Sequence, residues 1–314
     1  MSFYEIIITL LVSAIKSGTI VLFATVGEIF TERSGVLNLG VEGMLLMGAF
    51  AGYATAIMTN NIFLAFVVAG VVGSSLALIH AFVTITLRAN QVVSGLALTM
   101  LGGGLSAFLG KDFVKLPLSQ SVMNWVKPIN VPLLSDIPFV GEILFQHNIF
   151  VYFSFLVPVI GWFVLNKTTW GLAIRATGEE PLSSEIMGIK VTKVRYISTM
   201  VGGFLCGISG AYLSIVYSSL WGEGMTAGRG WITIALVIFA NWRPLLVFAG
   251  AYLFGGMEAI IPRMQAFGID VSPHLMKAVP YLFTIIFLLI IQLKGTRSNM
   301  PKNLGNAYFR EGRD

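Results

Sequence analysis

The chain has 314 residues, 56% of them apolar and only 11% charged, where a soluble domain carries roughly 25% charge. So few charges cannot cover a soluble fold of this size, and so much apolar sequence excludes disorder. One cysteine, Cys206, excludes a disulfide scaffold, so the bilayer is the natural solvent. Spans of about 20 residues leave room for eight to ten, and a net charge of +5 should report their orientation.

Nine apolar segments are expected, over 3–27, 36–58, 62–87, 92–110, 148–166, 196–218, 226–241, 244–262 and 278–293. The start, Met1-Ser2-Phe3-Tyr4-Glu5, lacks the basic residues of a cleavable signal. Lys16 interrupts the first segment, whose N-terminal half then lies along the interface. In the seventh, the uninterrupted run Trp231 to Ala240 spans only ~15 Å as a helix, about half the hydrocarbon. The whole chain, 1–314, reads as one all-α polytopic domain with three non-spanning parts. These are an external loop at 111–147, a cytoplasmic connection at 167–195 and a cytoplasmic tail at 294–314.

Basic residues set the orientation. With the 167–195 connection inside, alternation places Arg33, Arg88, Lys167, Arg175, Lys190, Lys193, Arg195, Arg243, Lys294, Arg297, Lys302, Arg310 and Arg313 on the cytoplasmic side. Only Lys111, Lys115, Lys127, Arg229, Arg263 and Lys277 fall outside. The imbalance favours an external N-terminus and a cytoplasmic C-terminus in the cell membrane.

Segments one to four and six to nine have opposite orientations, so an inverted repeat is expected, with segment five as connector. Each half contains a glycine-broken stretch, at 33–43 and at 223–231. Interrupted spans at matching places point to a transport path; the alternative is that the glycines only allow close packing. Gly48-x-x-x-Gly52 and Gly203-x-x-x-Gly207 are read as packing motifs. The long loop 111–147, with Pro117, Pro128, Pro132 and Pro138, is either a partner-docking element or a lid.

In the 167–195 connection, Pro181 suits the start of a short helix and Gly188 its end, with Glu179 and Glu180 at the positive N-terminus. A helix over 181–187 standing off the membrane is either an ordinary connector or an element that docks into a partner. Glu42 lies in an otherwise apolar stretch, one turn after Asn38. It either lines a substrate path or braces the broken helix by accepting free backbone N–H groups, and bracing is preferred. Glu223, Arg229 and Trp231 occupy the matching place in the second half. Trp221 reads as an interface marker. Asn90 and Gln91 read as caps of a turn, and His80 as a packed, hydrogen-bonded residue. No partner is evident for Glu258. His80, His147 and His274 lack ligand spacing, so no metal site is expected. No nucleophile–base pair is apparent, and no catalytic residue is expected.

The run Glu32-Arg33-Ser34-Gly35-Val36-Leu37-Asn38-Leu39-Gly40-Val41-Glu42-Gly43-Met44 resembles the signature of ABC-importer permeases of the ribose/branched-chain amino acid type. It is most similar to their nucleoside and simple-sugar branch. Gly171 to Arg195 resembles that family's cytoplasmic coupling segment, and Gly228-Arg229-Gly230-Trp231 with Asn241-Trp242-Arg243-Pro244 its second-half motif. Ala240 replaces the usual glycine there. Asn90-Gln91-Val92-Val93-Ser94-Gly95 also looks like a family stretch. The likeness covers roughly residues 20–295, and the length is similar to that of the shorter permease of a nucleoside importer.

The resemblance implies a second permease of different sequence, cytoplasmic ATP-binding subunits and an external substrate-binding protein, with no nucleic acid partner. It implies that Arg175, Gly178, Glu179, Pro181 and Gly188 couple the chain to the ATPase. Asn38, Glu42, Glu223, Arg229 and Trp231 are the candidate substrate-path residues. The phosphate loop Gly-x-x-x-x-Gly-Lys-[Ser/Thr] is missing: Gly110-Lys111 is followed by Asp112, and position 105 is leucine. Mg-ATP should therefore sit on a partner, with no cofactor on this chain. An ion-coupled secondary transporter of a small polar solute is the alternative.

Overall fold

The computed structural model describes residues 3–266 and 298–309, and six further positions between 278 and 289. The ninth expected segment, 278–293, lies mostly outside them. Twelve α-helices are described. The long ones are α1 (Phe3–Arg33), α2 (Val41–Thr59), α3 (Ile62–Ala81), α4 (Gln91–Gly110), α7 (Ile149–Lys167), α10 (Val191–Ala211) and α12 (Val247–Ala266). Shorter ones are α5 (Gln120–Val126), α6 (Val140–Leu144), α8 (Thr169–Glu179), α9 (Pro181–Ile186) and α11 (Arg229–Phe239). Among the described residues, six helices are long and apolar enough to cross a membrane, and α11 and the stretch Pro244–Ile260 are shorter apolar helices. The chain is an all-α polytopic membrane protein.

Sequence signals mark the helix ends. Asn61, Asn90, Asn148 and Thr168 accept from backbone N–H groups three residues on, capping α3, α4, α7 and α8. α3 and α10 both run on into wider π-helical turns, at Phe82–Thr86 and Tyr212–Tyr217. Three expectations change. α1 is one continuous helix to Arg33, so Lys16 does not break it and Glu28 and Glu32 lie inside it. The 167–195 connection holds two helices, α8 and α9, where one was expected. Arg195, counted among the residues of that connection, is buried inside α10.

The central helices are α1, α2 and α10. Over an 18-residue apolar stretch, 78% of the residues are buried in α2 and in the span Val191–Tyr217, against 22% in the span Gln91–Phe113 at the periphery. The leading contacts of α1 and α10 cross between the two halves of the chain. α1 packs on α12 as α10 packs on α3, and α1 meets α11 as α10 meets α2.

Close approach depends on glycine. A Cβ on Gly207 would lie 2.1 Å from the Ala69 carbonyl oxygen, and one on Gly48 would lie 2.5 Å from Gly207 Cα. α2, α3 and α10 therefore meet backbone to backbone, which suits apolar helices whose attraction in lipid comes from packing. Gly207→Ala is expected to destabilise the bundle by about 1–3 kcal/mol. A lower melting temperature in detergent, with membrane insertion retained, is the readout.

The 111–147 loop is ordered around a two-residue antiparallel ladder, β1 (Ile129–Asn130) with β2 (Gln146–His147). His147 is buried, and its Nε2–H donates to the Ile143 carbonyl at 2.8 Å. Burial, reinforced by Lys16, holds its imidazole below the usual value. A group whose folded value is lowered contributes stability above its unfolded value of about 6.5. That contribution is lost as pH falls through the folded value. The loop should therefore become protease-sensitive on acidification, and His147→Gln should flatten that dependence. A pH-independent digestion of the unsubstituted chain would contradict this.

Candidate functional site

Interrupted backbone inside a bilayer must find hydrogen-bond partners, and the break between α1 and α2 finds them on side chains. Leu37 N–H donates to Gln91 Oε1 at 2.6 Å, and Gly40 N–H to Asn38 Oδ1 at 3.0 Å. The Leu37 carbonyl accepts from His80 Nε2 at 3.1 Å, and the Leu39 carbonyl from Thr99 Oγ1 at 2.9 Å. His80 therefore carries its proton on Nε2, and Nδ1 accepts from the Ser94 hydroxyl at 2.9 Å. Residues on α3 and α4 hold the break open in one shape.

The second break, between α10 and α11, is held by the first half. Glu42, buried in the first turn of α2, accepts from the Thr226 hydroxyl at 2.6 Å and from Gly228 N–H at 2.9 Å on Oε1. Its Oε2 accepts from Gly230 N–H at 2.6 Å. A carboxylate thus sits on the N-terminus of α11, where the helix dipole favours negative charge. Gly228, at φ +88°, shapes the turn that aims these donors at it. Gly230 permits the contact, since a Cβ there would lie 2.5 Å from Glu42 Cα. This geometry is the bracing arrangement.

Arg229 turns away from Glu42 and pairs with Glu258 at 2.9 Å. Its guanidinium also donates to the Met225 and Thr226 carbonyls. Glu258, which had no evident partner, also accepts from Ser17, so the pair ties α11 to α12 and α1. Asn38 is buried and faces Glu28, donating to its Oε2 at 3.0 Å. Trp231 is half-buried on α11, and Glu223 is exposed in the preceding loop, apart from the Glu42 seam. Trp221 is not an interface marker. It is buried, edge-on to Phe50 at 5.8 Å and packed over Gly110.

Two buried carboxylates belong beside the five candidates. Glu28 holds Asn38, and Glu32 accepts from Trp242 Nε1 at 2.6 Å just past the end of α11. They lie four residues apart, on one face of α1, in a segment otherwise apolar. The intramembrane-charge rule that selected Glu42 selects them too, once the helix is known to reach Arg33.

In the α7–α10 connection, Thr168 starts α8, Pro181 is buried at the start of α9, and Gly188, at φ +86°, ends it. Arg175 and Glu179 turn back toward Arg33, at the end of α1. The Gly178 carbonyl accepts from Asn303 N–H at 2.9 Å. The outward face carries three apolar side chains, Leu182, Ile186 (78% exposed) and Met187 (82%), beside the exposed Glu180, Ser183 and Lys190.

The family model of the branched-chain amino acid transport system permease component matches residues 10–291. The chain belongs to this permease family. This permease is 39% identical to the putative glucose ABC transporter permease protein TsgC13 of Haloferax volcanii, over 96% of this chain and 98% of that one. It is 31% identical to the nucleoside ABC transporter permease protein NupC of Lactococcus lactis subsp. cremoris, over 93% and 94% of the two chains. Against the guanosine ABC transporter permease protein NupQ of Bacillus subtilis the identity is 32%, over 92% of each. No solved structure matches the permease. It is the permease subunit of an ABC importer, a class that works with ATPase and substrate-binding partners, and the ion-coupled alternative loses its basis.

Proposed function

We propose that this permease carries a neutral, hydroxyl-rich solute, a nucleoside, into the cytoplasm by alternating access. Mg-ATP is bound and hydrolysed by partner subunits. The observation that carries the reading is its end-to-end likeness to permeases named for nucleosides and guanosine. The higher identity to a putative glucose permease favours a simple sugar as the second reading. Competition among labelled nucleosides, ribose, galactose and leucine for uptake by the assembled importer separates them. Inhibition by nucleosides alone is expected; inhibition by sugars alone would move the assignment to the second reading.

The positive-inside imbalance supports a cytoplasmic α8–α9 connection and C-terminus. The apolar tip of that connection, Leu182, Ile186 and Met187, suits a groove on an ATP-binding subunit, and a second permease of different sequence completes the translocation unit. Ile186→Asp with Met187→Asp is expected to leave membrane insertion intact and to cost most ATPase co-purification and uptake. Unchanged co-purification would remove the tip from the docking surface.

A further inference from the structure

At the end of three spans lies a cavity of about 500 Å³, lined by Arg33, Arg175 and Arg243 together with Trp162, Trp242 and Leu246. Arg33 ends α1, Arg175 lies on α8, and Arg243 precedes α12, so three separate elements each contribute one guanidinium. Like charges do not gather by accident: each arginine weakens its neighbours' preference for that position.

Their hydrogen-bonding capacity is mostly unspent. Arg33 donates through Nη1 to the Asn299 carbonyl at 3.0 Å. Its Nε, and that of Arg175, are buried without a partner among the described residues. Two carboxylates stand nearby, and among the described residues neither forms an ion pair with the group. Glu179 is within electrostatic reach of Arg33, and Glu32 is engaged by the Trp242 indole at 2.6 Å. The guanidinium fork matches the oxygens of a phosphoryl group better than any other common anion except carboxylate.

We propose that this cavity binds a phosphoryl group between Arg33, Arg175 and Arg243. The surroundings point to a phospholipid headgroup as its source. The cavity opens where α7 and α1 end and α12 begins. Trp162, half-buried near the end of α7, is of the type that settles at headgroup level. Leu245 and Leu246 are exposed at its rim, where an acyl chain would lie. Lys167, stacked 5.7 Å over Trp162, adds a fourth positive charge on the same end of α7. Basic pockets between spans are a recurrent form of anionic-lipid site.

The proposal does not depend on what the permease transports, and its test uses no uptake. The full chain is purified in neutral detergent and titrated with phosphatidylglycerol, phosphatidylcholine or inorganic phosphate, and bound species are counted by native mass spectrometry. Phosphatidylglycerol retention is expected to exceed that of phosphatidylcholine. Arg243→Gln and Arg175→Gln should each reduce the preference about fivefold, the size expected for one arginine at an anionic surface. Arg243→Lys should keep part of it, and its melting temperature checks that the fold is intact. Arg88→Gln, in a different cavity, should change nothing. Saturable phosphate binding without lipid preference, lost in Arg243→Gln, would keep the phosphoryl site and make its source soluble. Equal retention in the unsubstituted chain and Arg243→Gln, an equal loss in Arg88→Gln, or binding of none of the three would overturn the proposal.

Discussion

Glu42→Ala is expected to abolish uptake and to lower the melting temperature of the purified permease sharply. The substitution leaves the Thr226 hydroxyl and the Gly228 and Gly230 N–H groups without an acceptor in a buried seam. Each orphaned donor costs about 1–3 kcal/mol, so the three together cost about 3–9 kcal/mol, a large share of a domain's stability. Glu42→Gln keeps the shape but faces Gly230 N–H with a second donor, or gives up the two donors on Oε1, and should lose about half as much. The same measurements separate bracing from substrate contact. A carboxylate that mainly meets substrate would give Glu42→Gln an altered uptake KM at an unchanged melting temperature. Loss of stability without any substrate present is the mark of a brace. Because the donors belong to the second half and the acceptor to the first, the brace ties the two breaks to each other.

Local chemistry made part of this legible in sequence. Pro181 and Gly188 bound α9 because one fixes φ and the other accepts the left-handed turn, and neither needs a tertiary partner. Glu42 was legible as a choice between two roles because a charge in an apolar run demands an explanation. Glu28 and Glu32 obey the same rule. They escape it because a first apolar segment read over 3–27 stops one residue short of Glu28. α8 escaped for the opposite reason. Thr169–Glu179 is amphipathic and short, so it raises no hydrophobic block, and its cap, Thr168, is visible only when a helix is already sought. The burial of Trp221 cannot be read from its own segment, because it depends on Phe50 and on the missing side chain of Gly110. The pattern in one segment cannot report the gap left by another. The same holds for residues 298–309, whose polar, glycine-containing sequence looks like an ordinary tail.

That tail is a strap, and cutting it is expected to cost nearly as much as removing Glu42. Asn299 N–H donates to Asn241 Oδ1 at 2.8 Å, Asn303 N–H to the Gly178 carbonyl at 2.9 Å, and Gly305 N–H to the Gly35 carbonyl at 3.3 Å. Tyr308 donates to Glu185 on α9, and Phe309 lies 4.7 Å beneath Arg88. Arg195, 2% exposed, donates to Asn303 Oδ1 at 2.7 Å and to the Asn306 carbonyl at 3.3 Å. Twelve residues thus join the first break, the turn after α11 and both connection helices. Truncation before Ser298 leaves a buried guanidinium without these acceptors, at a cost of about 3–5 kcal/mol. Uptake should fall with it. Asn303→Leu isolates the central contact and should lose part of that stability. Adding Arg195→Met to Asn303→Leu should restore much of it, since replacing both partners of a buried polar contact by apolar groups removes the orphaned charge. The double variant then tests coupling alone. If the strap transmits motion from α8 and α9 to the breaks, uptake stays low while the melting temperature recovers. Recovery of both would reduce the strap to a source of stability.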